Sequence, residues 1–194
     1  PLRRSRAVNA SFQAILGLYS IIIGLGVSKL LEGVKNHVVS GQTLRGNTLY
    51  VGMLLIGLLV HVTSWLSLWS LRNVETWSVW SFLLVMTIPL LLYLYSAITV
   101  PEGQHSPNMN AYYLRHSTGM HSLLVMAIVF NGLVDLVMLG HWPEVSMTVG
   151  RFAVVSLLLV CALNPRAMRL HRIIVPMLIL SMALLVPFLD FPIK

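Results

Sequence analysis

The amino-acid sequence predicts an all-α fold, a polytopic transmembrane helix bundle of about six helices in which residues 1–194 form a single domain. Two observations predict this fold class. Of the 194 residues, 57% are hydrophobic and only 10% are charged, whereas a soluble domain carries about 25% charged residues. The charged residues also leave six long stretches free of Asp, Glu, Lys and Arg, which are 7–28, 46–71, 76–101, 116–134, 152–165 and 173–189.

Each charge-free stretch predicts one membrane-spanning helix. A helix needs about 20 largely apolar residues to cross the hydrocarbon core, and backbone amides inside lipid have to form their hydrogen bonds within the helix. Glycine and proline mark the breaks between stretches, at Gly41, Gly46, Pro101, Pro143 and Pro165. The predicted spans are Ala10–Leu31, Leu49–Leu71, Trp77–Thr99, Gly119–Leu139, Met147–Leu163 and Ile173–Leu189.

The fifth predicted span rests on the shortest charge-free stretch. Arg151 lies inside this span, and its long side chain is expected to reach the interface, which extends the helix by about one turn. The alternative for this stretch is a re-entrant segment that does not cross the bilayer.

The connection between the third and fourth spans is predicted to be the longest and most polar loop. It contains His105, Tyr112, Tyr113, Arg115 and His116, and His121 follows at the start of the fourth span. Loops carry function more often than scaffolds do, but the histidine spacing fits no standard metal motif. We therefore predict no metal site, no cofactor and no catalytic residue from these motifs.

The charge balance of the chain predicts the bilayer as its main partner. The formal net charge is +7, from 13 Lys and Arg against 6 Asp and Glu, and the basic residues cluster beside apolar stretches. That placement is typical of contacts with anionic lipid headgroups rather than with nucleic acid. The single cysteine, Cys161, excludes a disulfide within the chain. The first apolar stretch is long enough to span, so we expect no cleaved signal peptide.

The first 115 residues show a resemblance to a group of proteins. The segment Gly24–Gly33, the turn Arg72–Trp77, Pro101 and the pair Tyr112–Tyr113 resemble small uncharacterised polytopic proteins of bacterial inner membranes. That group has no assigned activity. The resemblance therefore implies a multi-pass protein of a bacterial inner membrane and implies nothing about chemistry.

Asp135 is the first candidate functional residue, because it is the only acidic residue well inside a predicted span. An ionisable side chain at that depth costs several kcal/mol unless it meets a partner or water. Asn131 lies four residues earlier and therefore on the same helix face, where the two side chains could bind a cation or relay a proton. The alternatives are that Asp135 reaches the headgroups or forms a structural ion pair with Arg151.

His61 is the second candidate, near the middle of the second span. A histidine at that depth could ligate haem, bind a metal or relay protons. The sequence holds neither a Cys-x-x-Cys-His nor a His-Glu-x-x-His motif. The alternative is a histidine that packs between helices and is satisfied by hydrogen bonds.

Small residues recur every three or four positions along the first span. This stripe consists of Gly17, Ser20, Gly24 and Ser28. Small residues let a second helix approach closely, either within the chain or from another copy. The stripe therefore predicts helix packing at this face.

Three functions remain open, and we rank them by the small number of ionisable groups inside the predicted spans. The first is a non-catalytic accessory or oligomeric component, as a homo-oligomer or a subunit of a larger membrane complex. The second is a small channel or transporter that uses Asp135, Asn131 and His61. The third is a redox or enzyme subunit of the membrane, for which the sequence offers no assembled set of ligands.

Overall fold

The computed structural model describes residues 2–39, 47–74, 76–102, 108–140 and 145–185. Within these ranges the chain forms six α-helices and no β-strand. The helices are α1 (Leu2–Val39), α2 (Thr48–Ser67), α3 (Val79–Thr99), α4 (Met109–Val134), α5 (Val145–Leu163) and α6 (Met168–Leu185). A 3₁₀ helix, Leu68–Asn73, continues α2, and a π-helical turn, Asp135–Leu139, continues α4.

Four of these helices are long and apolar enough to cross a membrane, as in an integral membrane protein. They are Ala10–Val39, Thr48–Asn73, Val79–Thr99 and Met109–Leu139. The all-α class is therefore confirmed, and a helix lies at each of the six predicted places. The fifth place holds a shorter apolar helix, Met147–Leu163. The sixth helix begins at Met168 rather than Ile173, and the predicted end of its span, 186–189, lies outside the described residues.

The predicted loop before the fourth span is wrong for most of its length. Helix α4 begins at Met109, ten residues before the predicted Gly119. Asn108 caps it, because its side-chain oxygen accepts the backbone N–H of Ala111 at 3.0 Å. Tyr112, Tyr113, Arg115 and His116 are therefore helical and His121 lies more than three turns inside α4, while His105 lies outside the described residues.

Two asparagines hold the starts of α2 and α4 together. Asn47 accepts the backbone N–H of Met109 at 3.0 Å, and Asn110 accepts the backbone N–H of Leu49 at 3.1 Å. Both asparagines are buried. Each side chain satisfies a first-turn N–H of the other helix, which has no partner within that helix. Helices α2 and α4 therefore begin side by side and run in the same direction.

Helix α2 packs against four other helices of the described fold, α1, α3, α4 and α6. Two of its glycines allow this. A Cβ at Gly52 would lie 2.6 Å from Val175 of α6, and a Cβ at Gly57 would lie 2.6 Å from the Tyr95 ring of α3. The hydroxyl of Tyr95 then donates to the carbonyl of Met53 at 2.6 Å, which satisfies a buried polar atom.

The helix order predicts that successive connections lie on alternate sides of the membrane. In a full-length Cys161→Ser background, single cysteines at Ser40, Asn73, Gln104, His141 and Arg166 should alternate in their reaction with a membrane-impermeant maleimide. Closed and permeabilised vesicles distinguish the two sides.

Two successive positions that react from the same side would contradict six spans. If those positions are His141 and Arg166, α5 is the re-entrant segment that the sequence left open as an alternative.

Candidate functional site

An ion pair joins the end of α4 to the start of α5. Asp135 is the first residue of the π-helical turn that continues α4, and Arg151 lies in the second turn of α5. The Arg151 Nη1 and Asp135 Oδ2 atoms are 2.6 Å apart, and the two side chains are 28% and 15% exposed. Single π-helical turns often occur at functional sites, because the extra residue reorients the side chains of the helix.

The ion pair belongs to a longer chain of polar contacts. Arg151 Nη2 donates to Asn131 Oδ1 at 3.0 Å, and Asn131 Nδ2 donates to Ser67 Oγ at 3.3 Å. Ser67 donates to the Ser64 carbonyl at 2.8 Å, and the hydroxyls of Ser64 and Tyr19 are 2.5 Å apart. We call this set the arginine network: Tyr19, Ser64, Ser67, Asn131, Asp135 and Arg151. It connects α1, α2, α4 and α5.

A cavity of about 160 Å³ lies beside the arginine network. We call it the main cavity, and residues from five helices, α2 to α6, line it. Its polar side consists of Thr63, Ser64, Ser67, Asn131 and Arg151. The rest of its wall is apolar and consists of Val60, Ile88, Leu92, Ala127, Ile128, Val154 and Met182. The cavity is thus an apolar space with one guanidinium at its polar side.

Two further cavities lie in this part of the fold. A space of about 10 Å³, large enough for one water molecule, shares Ser67 and Asn131 with the main cavity and also contacts Asp135. A third cavity of about 360 Å³ shares Ser70 with that small space and lies between the Leu68–Asn73 helix and the end of α4. Residues of the arginine network thus line both the main cavity and the small space.

Three of the four residues singled out for a polar role lie together. Asp135, Asn131 and Arg151 are joined by the contacts above, whereas His61 makes its hydrogen bonds elsewhere. His61 Nδ1 donates to the Gly57 carbonyl at 2.7 Å, and its Nε2 lies 3.2 Å from Ser96 Oγ. The side chain is fully buried. This geometry is that of a packing histidine between α2 and α3.

Most of the small-residue stripe on α1 does not face a helix of the same chain. A Cβ at Gly17 or at Gly24 would meet nothing within 4 Å, and Ser28 is exposed. Ser20 is half-buried and accepts the Trp65 Nε1–H of α2 at 2.9 Å. A close approach within the chain uses Gly26, where a Cβ would overlap the His61 ring. The stripe as a packing face therefore stays a prediction.

Sequence reasoning missed a second polar cluster. His121 of α4, Cys161 of α5 and His171 of α6 place one ligand atom each within 4.8 Å of the others, and all three are buried. The hydroxyl of Tyr113 lies 2.5 Å from His171 Nδ1. Part of this cluster could have been predicted if the start of α4 had been predicted correctly. Tyr113 and His121 are eight residues apart, so they share a face of that helix.

No protein-family model matches this chain, and no curated protein or solved structure matches it at a significant level. The resemblance to bacterial inner-membrane proteins therefore stays a prediction.

The ion pair allows a double-mutant test. Asp135→Asn removes the carboxylate charge and leaves Arg151 partly buried with neutral partners. We expect the free energy of unfolding in detergent to fall by about 1–3 kcal/mol, between the values typical of exposed and buried pairs. Adding Arg151→Gln should restore part of that loss, because the unpaired cation is then gone.

The pair of Lys29 and Glu32, 3.2 Å apart with the Glu32 side chain 51% exposed, provides the control, and Glu32→Gln should change stability by less than about 1 kcal/mol. Losses that simply add in the Asp135 and Arg151 double variant would show that the two side chains act independently.

Proposed function

We propose that this chain is a multi-pass membrane protein of six spanning helices that binds a small amphipathic solute in the main cavity and carries it across the membrane. The observation that carries this proposal is the combination of an apolar wall from five helices with the Arg151 guanidinium at one side. Transport proteins commonly place polar sites inside the membrane, between packed helices.

The lining defines the chemistry of the solute. At about 160 Å³ the main cavity is close to the roughly 150 Å³ that holds one benzene ring in an engineered protein core. Its apolar wall favours a short hydrocarbon body. Arg151 has five N–H donors, and its contacts with Asp135 and Asn131 leave donors for an oxygen acceptor. The solute that fits best is therefore a short-chain carboxylate.

Asp135 and Asn131 hold the guanidinium in place for the solute. Asp135 pairs with Arg151 Nη1, and Asn131 accepts from Nη2. The N–H donors that remain can bind a solute carboxylate without breaking either contact.

This proposal ranks the channel or transporter function, which the sequence placed second, above the accessory or oligomeric role, which it placed first. The accessory role rested on the scarcity of buried polar groups, and the arginine network supplies such groups from four helices. His61 is left out of the route, because its two ring nitrogens face Gly57 and Ser96. No catalytic role is part of the proposal.

A substitution that fills the main cavity tests the proposal. Ala127 is 2% exposed and lines the cavity, so Ala127→Leu puts three more carbon atoms into it. Hexanoate should bind the wild-type protein in calorimetry and enter proteoliposomes faster than protein-free liposomes. In the variant we expect both signals to fall by at least about tenfold, as with misfitting methylenes in other pockets.

Ala153→Leu, at an exposed position of α5, is the matched control and should behave as the wild type. Hexylamine, with the same body and a cationic head, should not bind, because Arg151 repels it. Wild-type hexanoate binding and entry in a folded Ala127→Leu protein would exclude the main cavity as the site.

We also propose, as a second candidate, that copies of the chain associate through α1. Gly17, Gly24 and Ser28 face outward, and Leu18, Ile21 and Leu25 beside them are 42%, 62% and 55% exposed. Small residues flanked by large apolar ones suit close contact between two helices in lipid. This arrangement supports the oligomeric role that the sequence ranked first.

Two leucine substitutions on α1 separate association from folding. Gly26→Leu should lower the thermal stability in detergent, because overpacking against His61 costs at least about 1–3 kcal/mol. Gly24→Leu should leave the stability unchanged but reduce the mass of the assembly in light scattering. An unchanged mass for Gly24→Leu in both detergent and nanodiscs would mean that this face of α1 contacts lipid.

A further inference from the structure

We infer that His121, Cys161, His171 and Tyr113 form a binding site for a divalent transition-metal ion, with Zn²⁺ as the best fit. The site joins α4, α5 and α6 and shares no residue with the arginine network or the main cavity. Imidazole nitrogen and thiolate sulfur are the ligands that zinc prefers in proteins.

The hydrogen bonds of both histidines leave a lone pair directed at the site. His121 Nδ1 lies 2.6 Å from the Ser117 carbonyl, and His171 Nε2 lies 2.9 Å from the Asn164 carbonyl. A carbonyl only accepts, so each of these nitrogens donates its proton to the carbonyl. In a neutral ring the other nitrogen, His121 Nε2 or His171 Nδ1, then carries the lone pair through which a histidine binds a metal.

The same two carbonyls fix the orientation of the rings. A histidine that ligates a metal almost always donates its other N–H to a backbone carbonyl or a carboxylate. Both histidines of this cluster do so. The carbonyl that accepts from His121 belongs to α4, and the carbonyl that accepts from His171 belongs to the turn between α5 and α6.

The Tyr113 hydroxyl occupies the position of a fourth ligand. Its oxygen lies 2.5 Å from His171 Nδ1 and 3.4 Å from His121 Nε2. One hydroxyl proton cannot serve both acceptors at once. In a tetrahedral zinc site the ligand atoms lie about 3.4–3.6 Å apart. The ligand atoms of His121, Cys161 and His171, which now lie within 4.8 Å of one another, need to approach by at most about 1.4 Å, and the Tyr113 oxygen needs to move about 1 Å away from His171 Nδ1.

Charge balance also favours a divalent ion. Burying a net charge is costly. The cations described around the α5–α6 turn, Arg166 and Arg169, are in exposed positions, so they do not add their charge to the buried site. When Zn²⁺ binds, the Cys161 thiol and the Tyr113 hydroxyl each release one proton to solvent. The ion with one thiolate and one phenolate is then neutral, and no oxidant or reductant is needed.

The site lies where an ion could reach it from water. Cys161 is two residues from the end of α5, and His171 is three residues from the start of α6. The connecting turn includes the exposed Asn164. A bound ion would join α4, α5 and α6, so we expect it to raise the thermal stability of the protein.

Cobalt(II) titration of the purified full-length protein in detergent tests the site. The expected result is a saturable visible spectrum of tetrahedral Co²⁺ with a near-ultraviolet thiolate charge-transfer band, both of which Zn²⁺ abolishes. Because Cys161 is the only cysteine, this band reports one position. Cys161→Ser should remove the charge-transfer band, and Tyr113→Phe should shift the visible bands and weaken binding.

Two conservative variants remove a ligand while keeping its backbone hydrogen bond. His121→Asn retains a donor for the Ser117 carbonyl, and His171→Gln retains one for the Asn164 carbonyl. Each should weaken metal binding beyond the roughly tenfold to hundredfold that loss of an outer partner costs. His61→Asn is the matched control, because His61 is equally buried and uses the same bond to the carbonyl four residues earlier.

Zn²⁺ should raise the melting temperature of the wild type and of His61→Asn, but not that of Cys161→Ser. No charge-transfer band in the wild type, or wild-type affinity in the Cys161→Ser and His171→Gln variants, would overturn the proposal.

Discussion

The reciprocal bonds of Asn47 and Asn110 are the contact on which the rest of the fold depends. An unpaired backbone N–H costs several kcal/mol in an apolar environment. Here two helix starts are satisfied by one side chain each, at 3.0 and 3.1 Å, and both asparagines are buried. The bonds form only when α2 and α4 begin at the same level, so they determine the direction of the two helices and their relative height.

Because α2 and α4 begin at the same level, residues of the arginine network on these two helices come close to each other. At about 1.5 Å per residue, Ser67 lies about 29 Å along α2 from its start and Asn131 about 33 Å along α4. The two positions lie within about 4 Å of the same height, and their side chains meet in a hydrogen bond of 3.3 Å. A slip of one helix by a turn, about 5.4 Å, would separate them. The main cavity, which both residues line, depends on the same register.

The sequence predicts the helices because length and charge-free composition are properties of each segment alone. It does not predict which faces meet, since that depends on the register between segments. On α1, Gly24 and Gly26 are equally small, yet only Gly26 faces His61. Similarly, Cys161 and His171 lie on different helices, and no spacing in the sequence shows that they meet. The early start of α4 was readable from Asn108, a favoured capping residue.

Helix α5 has a short apolar part, Met147–Leu163, and is tied to α4 at both ends. At one end Arg151 bonds to Asp135 and Asn131. At the other end the Thr118 hydroxyl donates to the Ala162 carbonyl at 3.0 Å. Polar contacts with a neighbouring helix help to hold a helix whose apolar part is near the minimum length for spanning. The cation that faces the main cavity is therefore also one that positions the helix carrying it, so binding at Arg151 and the placement of α5 change together.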